Sequence, residues 1–331
     1  MKKIVALLLV ALMFASCTQT PSPADSITES SAAPTSSVDE EYPLTVRDTT
    51  LYKKPEKIVS LSPSLTAALG YYGEENRLIA RSTYCLYSTQ ISALPDVGTA
   101  AQPDLEAIIK LQPDLVLTSQ ELSADTMEWL DKNGIAVLCL EPAQTLEETA
   151  QTFDDLLTVL DGKIAGKKNG EAAKKAFLAS FEKLKEKTAA YRKANDLEPI
   201  AVLYVQELNT YVACAGTLEN EILEMLGFTN AADEQTGRYV SEETLKTLNP
   251  HAMVFSETVT AENLKKNAVY KSKTAVKKGN LAFVDMTAVD RRSPEMAQTF
   301  EKMLEQLYDG FADFSAEEEP SEAASGTKKG E

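Results

Sequence analysis

Histidine and tryptophan are nearly missing from this 331-residue chain, which has one of each, His251 and Trp129. A single imidazole leaves little for acid–base relay chemistry, and no Gly-x-Ser-x-Gly or His-Glu-x-x-His run is present. The four Cys, at 17, 85, 139 and 214, are too few and too scattered for a zinc ribbon. Neither a catalytic residue nor a protein-held metal or cofactor is expected. Basic side chains are also short: 33 Lys and Arg against 50 Asp and Glu give a net charge of -17. No clustered cationic stripe is left to meet a phosphate backbone, so nucleic acid is excluded as a partner. What the chain does have is 44% hydrophobic residues, enough to bury the core of one large or two medium domains.

The charges and cysteines are unevenly placed. Met1-Lys2-Lys3 precedes an eleven-residue apolar run, Ile4 to Phe14, closed by Ala15, Ser16 and Cys17. At ~1.5 Å per residue such a run cannot cross ~30 Å of hydrocarbon, so residues 1–16 read as a signal peptide rather than a membrane span. The sequence Phe14-Ala15-Ser16-Cys17 resembles a bacterial lipobox, with Phe14 where Leu is usual. That resemblance implies cleavage before Cys17 and acylation there. Residues 17–41 are rich in Ser, Thr, Pro and Ala with no Lys or Arg, a composition that cannot offset its ordering entropy by burial, and are expected to form a disordered stalk. The acidic stretch 315–331 is expected to be a disordered tail.

Between these ends, short aliphatic runs alternate with helix-period segments, the pattern of an α/β fold. Strands are expected at 57–61, 78–80, 115–118, 136–140, 200–205, 252–255 and 282–285. Helices are expected at 65–71, 104–111, 124–132, 146–160, 218–226, 242–248 and 294–308. Residues 170–195 contain no Pro and no interior Gly, and place Ala173, Phe177, Phe181, Leu184, Thr188 and Tyr191 on one face of a long amphipathic helix. A helix of that length at the chain's midpoint reads as a spine. Residues 104–119 also align without gaps to 241–256, pairing Glu106 with Glu243, Pro113 with Pro250 and Ser119 with Ser256. In each copy a Pro stops a helix and a buried strand follows. The expected fold is two Rossmann-like α/β lobes, 42–165 and 196–314, joined by one spine helix at 166–195, with a ligand cleft between them.

With these features the chain resembles the helical-backbone solute-binding lipoproteins of ABC importers, the group that captures cobalamin, haem and iron–siderophore complexes. The resemblance spans about residues 51–308. It is carried by 58–66 (IVSLSPSLT), 84–87 (YCLY), 94–98 (LPDVG), 103–108 (PDLEAI) with 113–116 (PDLV), and in the second half by Gly216, 221–227 (EILEMLG), Asn230, 240–243 (VSEE), Asn249-Pro250 and 291–294 (RRSP). It implies an exported receptor, monomeric and held to the outer face of the cell membrane by its acylated Cys17, that delivers a small metal chelate to an ABC permease dimer. A corrinoid is the first expectation, with a ferric siderophore or haem next. Exposed Glu106 and Glu243 are implied to dock the two permease subunits. Tyr84, Tyr211 and Arg291 are implied to line the cleft, with Tyr87, Arg238 and Tyr239, then Arg81 and Arg292, close by: aromatic rings stack on a macrocycle and guanidinium groups hold its oxygens. His251 and Trp129 read as structural. Cys139, in an apolar strand, reads as buried, and Cys85 and Cys214 as cleft-loop residues. The alternatives are a surface sensor or a cleft enzyme built on the same fold.

Overall fold

The structure, a computed structural model, describes residues 40–208 and 211–315. The leader, Cys17, the stalk up to residue 39 and the tail from residue 316 lie outside the described residues.

A small antiparallel hairpin of β1 (Leu44–Val46) and β2 (Thr49–Leu51) opens the folded unit. It leads into β3 (Ile58–Ser60), α1 (Pro63–Tyr71), β4 (Leu78–Arg81), α2 (Thr89–Ser92), α3 (Leu105–Leu111), β5 (Leu115–Thr118), α4 (Ala124–Lys132) and β6 (Ala136–Cys139). The four strands β3 to β6 form one parallel sheet in the order β4-β3-β5-β6. Two helices follow, α5 (Leu146–Asp161) and the 28-residue α6 (Lys167–Ala194). The second lobe contains β7 (Ala201–Glu207), β8 (Tyr211–Val212), α7 (Leu218–Met225), β9 (Thr229–Asn230), α8 (Glu242–Thr247), β10 (Ala252–Ser256), α9 (Ala261–Lys266), α10 (Thr274–Lys278), β11 (Leu281–Val284), α11 (Thr287–Asp290) and α12 (Met296–Leu307). Its sheet runs β11-β10-β7, and the far edge of β7 is shared by parallel β9 and antiparallel β8.

The two sheets therefore repeat one strand order, with β3, β5 and β6 answered by β7, β10 and β11. The aligned residues Asp114 and His251 do equivalent work at the start of each central pair. The Asp114 carboxylate accepts from the Lys57 N–H at 3.0 Å, while His251 Nδ1 accepts from the Ala201 N–H at 3.3 Å. His251 is thus a structural residue at a strand entrance.

The spine is α6. Its buried face is Gly170, Ala173, Phe177, Phe181, Leu184, Thr188 and Tyr191, the row that the sequence periodicity selects. Helix α5 packs antiparallel against its first half. The Phe153 and Phe177 rings meet at 5.1 Å, and a Cβ on Gly170 would come within 2.5 Å of the Asp154 carbonyl oxygen, so glycine is required there. Its second half reaches the other lobe, where Phe181 faces Phe300 and Tyr191 packs against Tyr308, Phe311 and Phe314. One continuous apolar cluster consequently runs along the spine side of both sheets, and each lobe has a smaller cluster of its own. Burying each large spine side chain contributes about 1.5–3 kcal/mol, which ties the two lobes to a common core.

Candidate functional site

In parallel sheets the strand carboxyl ends and the loops after them form the ligand crevice. Here loops that follow strands of the two sheets meet each other. At the spine side of the crevice, Arg292 Nε donates to the Ala143 carbonyl at 3.3 Å and the Leu146 N–H donates to Glu221 Oε2 at 2.9 Å. On another side, the Tyr87 hydroxyl donates to Glu295 Oε2 at 3.3 Å and Arg291 Nη2 lies 3.5 Å from the Leu86 carbonyl.

The second lobe's floor is a charged cluster. Glu219, in the first turn of α7, is fully buried, and its carboxylate faces Arg238 at 3.0 Å and Arg292 at 3.4 Å. Arg238 also donates to Gln206 Oε1 at 2.7 Å, and Gln206 Nε2 donates to Asp290 Oδ1 at 2.9 Å. Part of Asp290 stays open to solvent. Desolvation of its carboxyl, reinforced by the neighbouring Glu219 charge, nevertheless outweighs the Gln206 hydrogen bond and raises it above the usual carboxylate range. Beneath them, burial pushes the Tyr204 hydroxyl well above its usual range, with Glu219 and Asp290 adding to the effect.

Both lobes expose tyrosine rings. Tyr84, on the loop after β4, is 66% exposed, and Leu86 beside it is 52% exposed. On the second lobe Tyr239 is 71% exposed and meets the Tyr211 ring edge-on, with centroids 4.4 Å apart. Arg238 and Tyr239 are chain neighbours, and the hydrogen-bonded run Arg238–Gln206–Asp290 leads to Arg291 and so to the Leu86–Tyr87 loop. These contacts link Arg238 through Gln206 and Asp290 to the neighbourhood of Arg291 and the Leu86–Tyr87 loop, and Tyr239 to Tyr211, while Tyr84 is exposed on the same loop as Leu86. Tyr87 differs from the others because its ring fills the space beside Gly70, where a Cβ would meet it at 2.4 Å, and its hydroxyl is engaged by Glu295. Arg81 is turned aside, donating to the Ser82 and Ser92 carbonyls and to Asp96. A groove of about 650 Å³ on the spine side, between α5, α6 and α7, contains none of these residues.

Glu106 and Glu243 lie one on each lobe. Both are exposed in the first turns of α3 and α8, capped by Asp104 and Ser241. Glu219, Gln206, Asp290 and Glu295 escaped the sequence reading. A first-turn Glu looks like a solvated helix-dipole partner, and only the tertiary fold buries Glu219.

The cysteines need correction. All three described ones are free, but Cys85 and Cys214 are the buried pair, and Cys139 is half-exposed because β6 is a sheet edge; it borders a groove of about 480 Å³. Trp129 is half-buried.

A family model described as periplasmic binding protein matches residues 58–287. An uncharacterized ABC transporter substrate-binding lipoprotein, YvrC of Bacillus subtilis, is 29% identical over 313 residues, 92% of this chain and 95% of that protein. A cobalamin-binding protein of Halobacterium salinarum is 24% identical over 272 residues, 77% of this chain and 70% of its own. Among solved structures, a periplasmic heme-binding protein from Pseudomonas aeruginosa superposes with a TM-score of 0.62 at 23% identity, over 77% of this chain and 93% of that one. Among the described residues no helix is long and apolar enough to cross a membrane. With two like-ordered sheets, a long shared helix and a crevice between them, the chain belongs to the periplasmic binding protein family of ABC transporter substrate-binding proteins, which bind solutes and are not enzymes.

Proposed function

We propose that this chain is an extracytoplasmic receptor, monomeric and acylated at Cys17, that captures a corrinoid in the crevice and hands it to an ABC permease dimer through Glu106 and Glu243. In this reading residues 42–165 and 196–314 are the two lobes and 166–195 the joining spine. The supporting observation is the rim. Tyr84 on one lobe and Tyr239 on the other are exposed, Tyr239 backed edge-on by Tyr211, and in this reading their rings stack on a broad, flat macrocycle. Arg291 is the rim cation outside the Glu219 cluster, suited to an amide or phosphate oxygen of the ligand. The likeness to a cobalamin-binding relative supports the same class.

Haem is the second reading, and Tyr84 favours it as an exposed phenol on the rim that is able to ligate iron. Titration of the purified protein with cyanocobalamin, hemin and a ferric siderophore, followed by absorbance and thermal shift, separates the readings. A saturable rise in melting temperature with cyanocobalamin, reduced at least tenfold in affinity by Tyr84→Ala or Tyr239→Ala, is expected. Stabilisation by hemin alone overturns the corrinoid assignment, and no response to any of the three overturns the chelate class. Docking is tested separately: Glu106→Ala/Glu243→Ala is expected to abolish uptake while leaving binding intact.

A further inference from the structure

Four of the most exposed large hydrophobic residues fall into two groups. Tyr84 and Tyr239 belong to the candidate site, whereas Tyr52, 80% exposed, and Ile164, 60% exposed, belong to the pole of the first lobe where the β1–β2 hairpin meets the α5–α6 turn. That pole is where the chain enters the folded unit. The Glu41 carboxylate accepts from the N–H groups of Ile164 at 2.7 Å and Ala165 at 3.1 Å, in the turn between α5 and α6, and its carbonyl accepts from the Lys163 N–H. The Tyr42 hydroxyl donates to the Val159 carbonyl at 2.9 Å. Tyr52 follows directly after the Leu44–Leu51 pair that closes the open end of the hairpin, and Lys54 reaches Asp161 at 3.0 Å, so both strands of the hairpin are pinned beside this turn.

The charges around these two residues are unusual for this molecule. In a chain of net charge -17, the turn 163–168 carries three Lys and no Asp or Glu. Of the nearby carboxylates, Glu41 accepts from backbone N–H groups, Asp161 pairs with Arg77 and Lys54, and Glu171 pairs with Lys167, while Glu40 is exposed. Lys163 and Lys168, both exposed, have no carboxylate partner among the described residues. An amphipathic ring and an aliphatic side chain, with two unpaired ammonium groups on the turn that carries Ile164, have the chemistry of a headgroup contact, in which apolar groups enter the interface and lysines meet lipid phosphates.

We propose that the pole formed by Tyr52, Lys163, Ile164 and Lys168, where the chain enters the folded unit at Glu41, rests on anionic phospholipid headgroups. This inference depends on acylation at Cys17. About 24 residues separate Cys17 from Glu41, a maximum reach of about 80 Å, which holds the pole near the bilayer at an effective concentration of order millimolar. A weak contact suffices under that constraint, and its weakness lets the receptor leave for the permease.

The test uses the acylated full-length protein in vesicles of phosphatidylglycerol and phosphatidylcholine, in vesicles of phosphatidylcholine alone, and in detergent. A water-soluble amine-reactive label is applied, and each lysine is read by peptide mass spectrometry, with exposed Lys265 and Lys278 of the other lobe as controls. At least fivefold protection of Lys163 and Lys168 in the anionic vesicles, absent at the controls and lost in Tyr52→Ser/Ile164→Ser, is expected. Equal labelling in all three conditions overturns the inference while leaving the lipoprotein reading standing. A chain whose N-terminal peptide carries no acyl group removes both. Protection that rises with protein concentration in detergent assigns the pole to a second copy of the chain and likewise overturns the contact with lipid.

Discussion

The two lobes repeat one strand order but stop their equivalent helices in different ways. Helix α3 ends at Gln112, whose backbone is left-handed at φ 49°, just before Pro113. Helix α8 has no such residue. Leu248 is extended, and the buried Lys273 ammonium donates to the carbonyls of Leu245, Lys246 and Leu248. The same need, partners for the last carbonyls of a helix, is met locally in one lobe and by a side chain from the start of α10 in the other. The crevice shows a similar division. The first lobe offers an exposed Tyr and Leu on a loop, and the second offers a paired aromatic edge over a buried charged floor. An α/β repeat thus preserves its sheet while the contacts that fix each helix and loop diverge.

The largest effect should come from breaking the charged floor. Glu219→Ala leaves Arg238 and Arg292 facing each other without their shared carboxylate, and a loss of about 3–5 kcal/mol is expected from denaturant unfolding. The first-lobe control is Asp96→Ala. Asp96 pairs with Arg81 at 3.3 Å but is 41% exposed, so a loss of about 1 kcal/mol is expected there. Equal losses from the two variants would dissolve the contrast between a desolvated floor and a solvated pair.

A smaller effect is expected from Lys273→Met, which keeps the apolar stem but leaves three carbonyls at the end of α8 without a donor. About 2 kcal/mol should be lost. Amide exchange should then accelerate in α8 and not in α3, because α3 ends on its own backbone. If both helices loosen together, the two endings are not mechanically independent.

Sequence periodicity carried far where elements are long. The strand Leu115–Thr118, the helix Ala124–Lys132 and the buried face of α6 were all legible, because several turns or a full apolar run repeat the signal. The β1–β2 hairpin, the two-residue β8 and β9, and the short α2, α9, α10 and α11 are too brief to establish a period. At the crevice, Tyr84, Tyr211, Tyr239 and the arginines came from resemblance to a family, not from any pattern of spacing. Glu219 and Asp290 carry no sequence signature, since their environment is made by residues far away in the chain. Cys139 misled for a related reason: an apolar strand reads as buried, and only the strand order reveals that β6 is an edge.

The smallest effect separates Asp114 from its counterpart His251 through pH. Burial alone would raise the Asp114 carboxyl, but hydrogen bonds from the Lys53 ammonium and the Glu56 and Lys57 N–H groups outweigh it and hold the carboxyl below the usual carboxylate range. A depressed folded-state value means that stabilisation is fully present above about pH 4, the unfolded value, and is lost as the pH falls through the folded one. Asp114→Asn keeps one acceptor oxygen and removes the charge. About 1 kcal/mol should be lost at pH 7, and the difference from the parent protein should shrink as the pH drops below 4. Denaturant midpoints taken between pH 3 and 7 read this directly. A difference that stays constant across that range would mean that Asp114 acts through shape and hydrogen bonding alone, and the Asp and the His at the two strand entrances would then be physically alike.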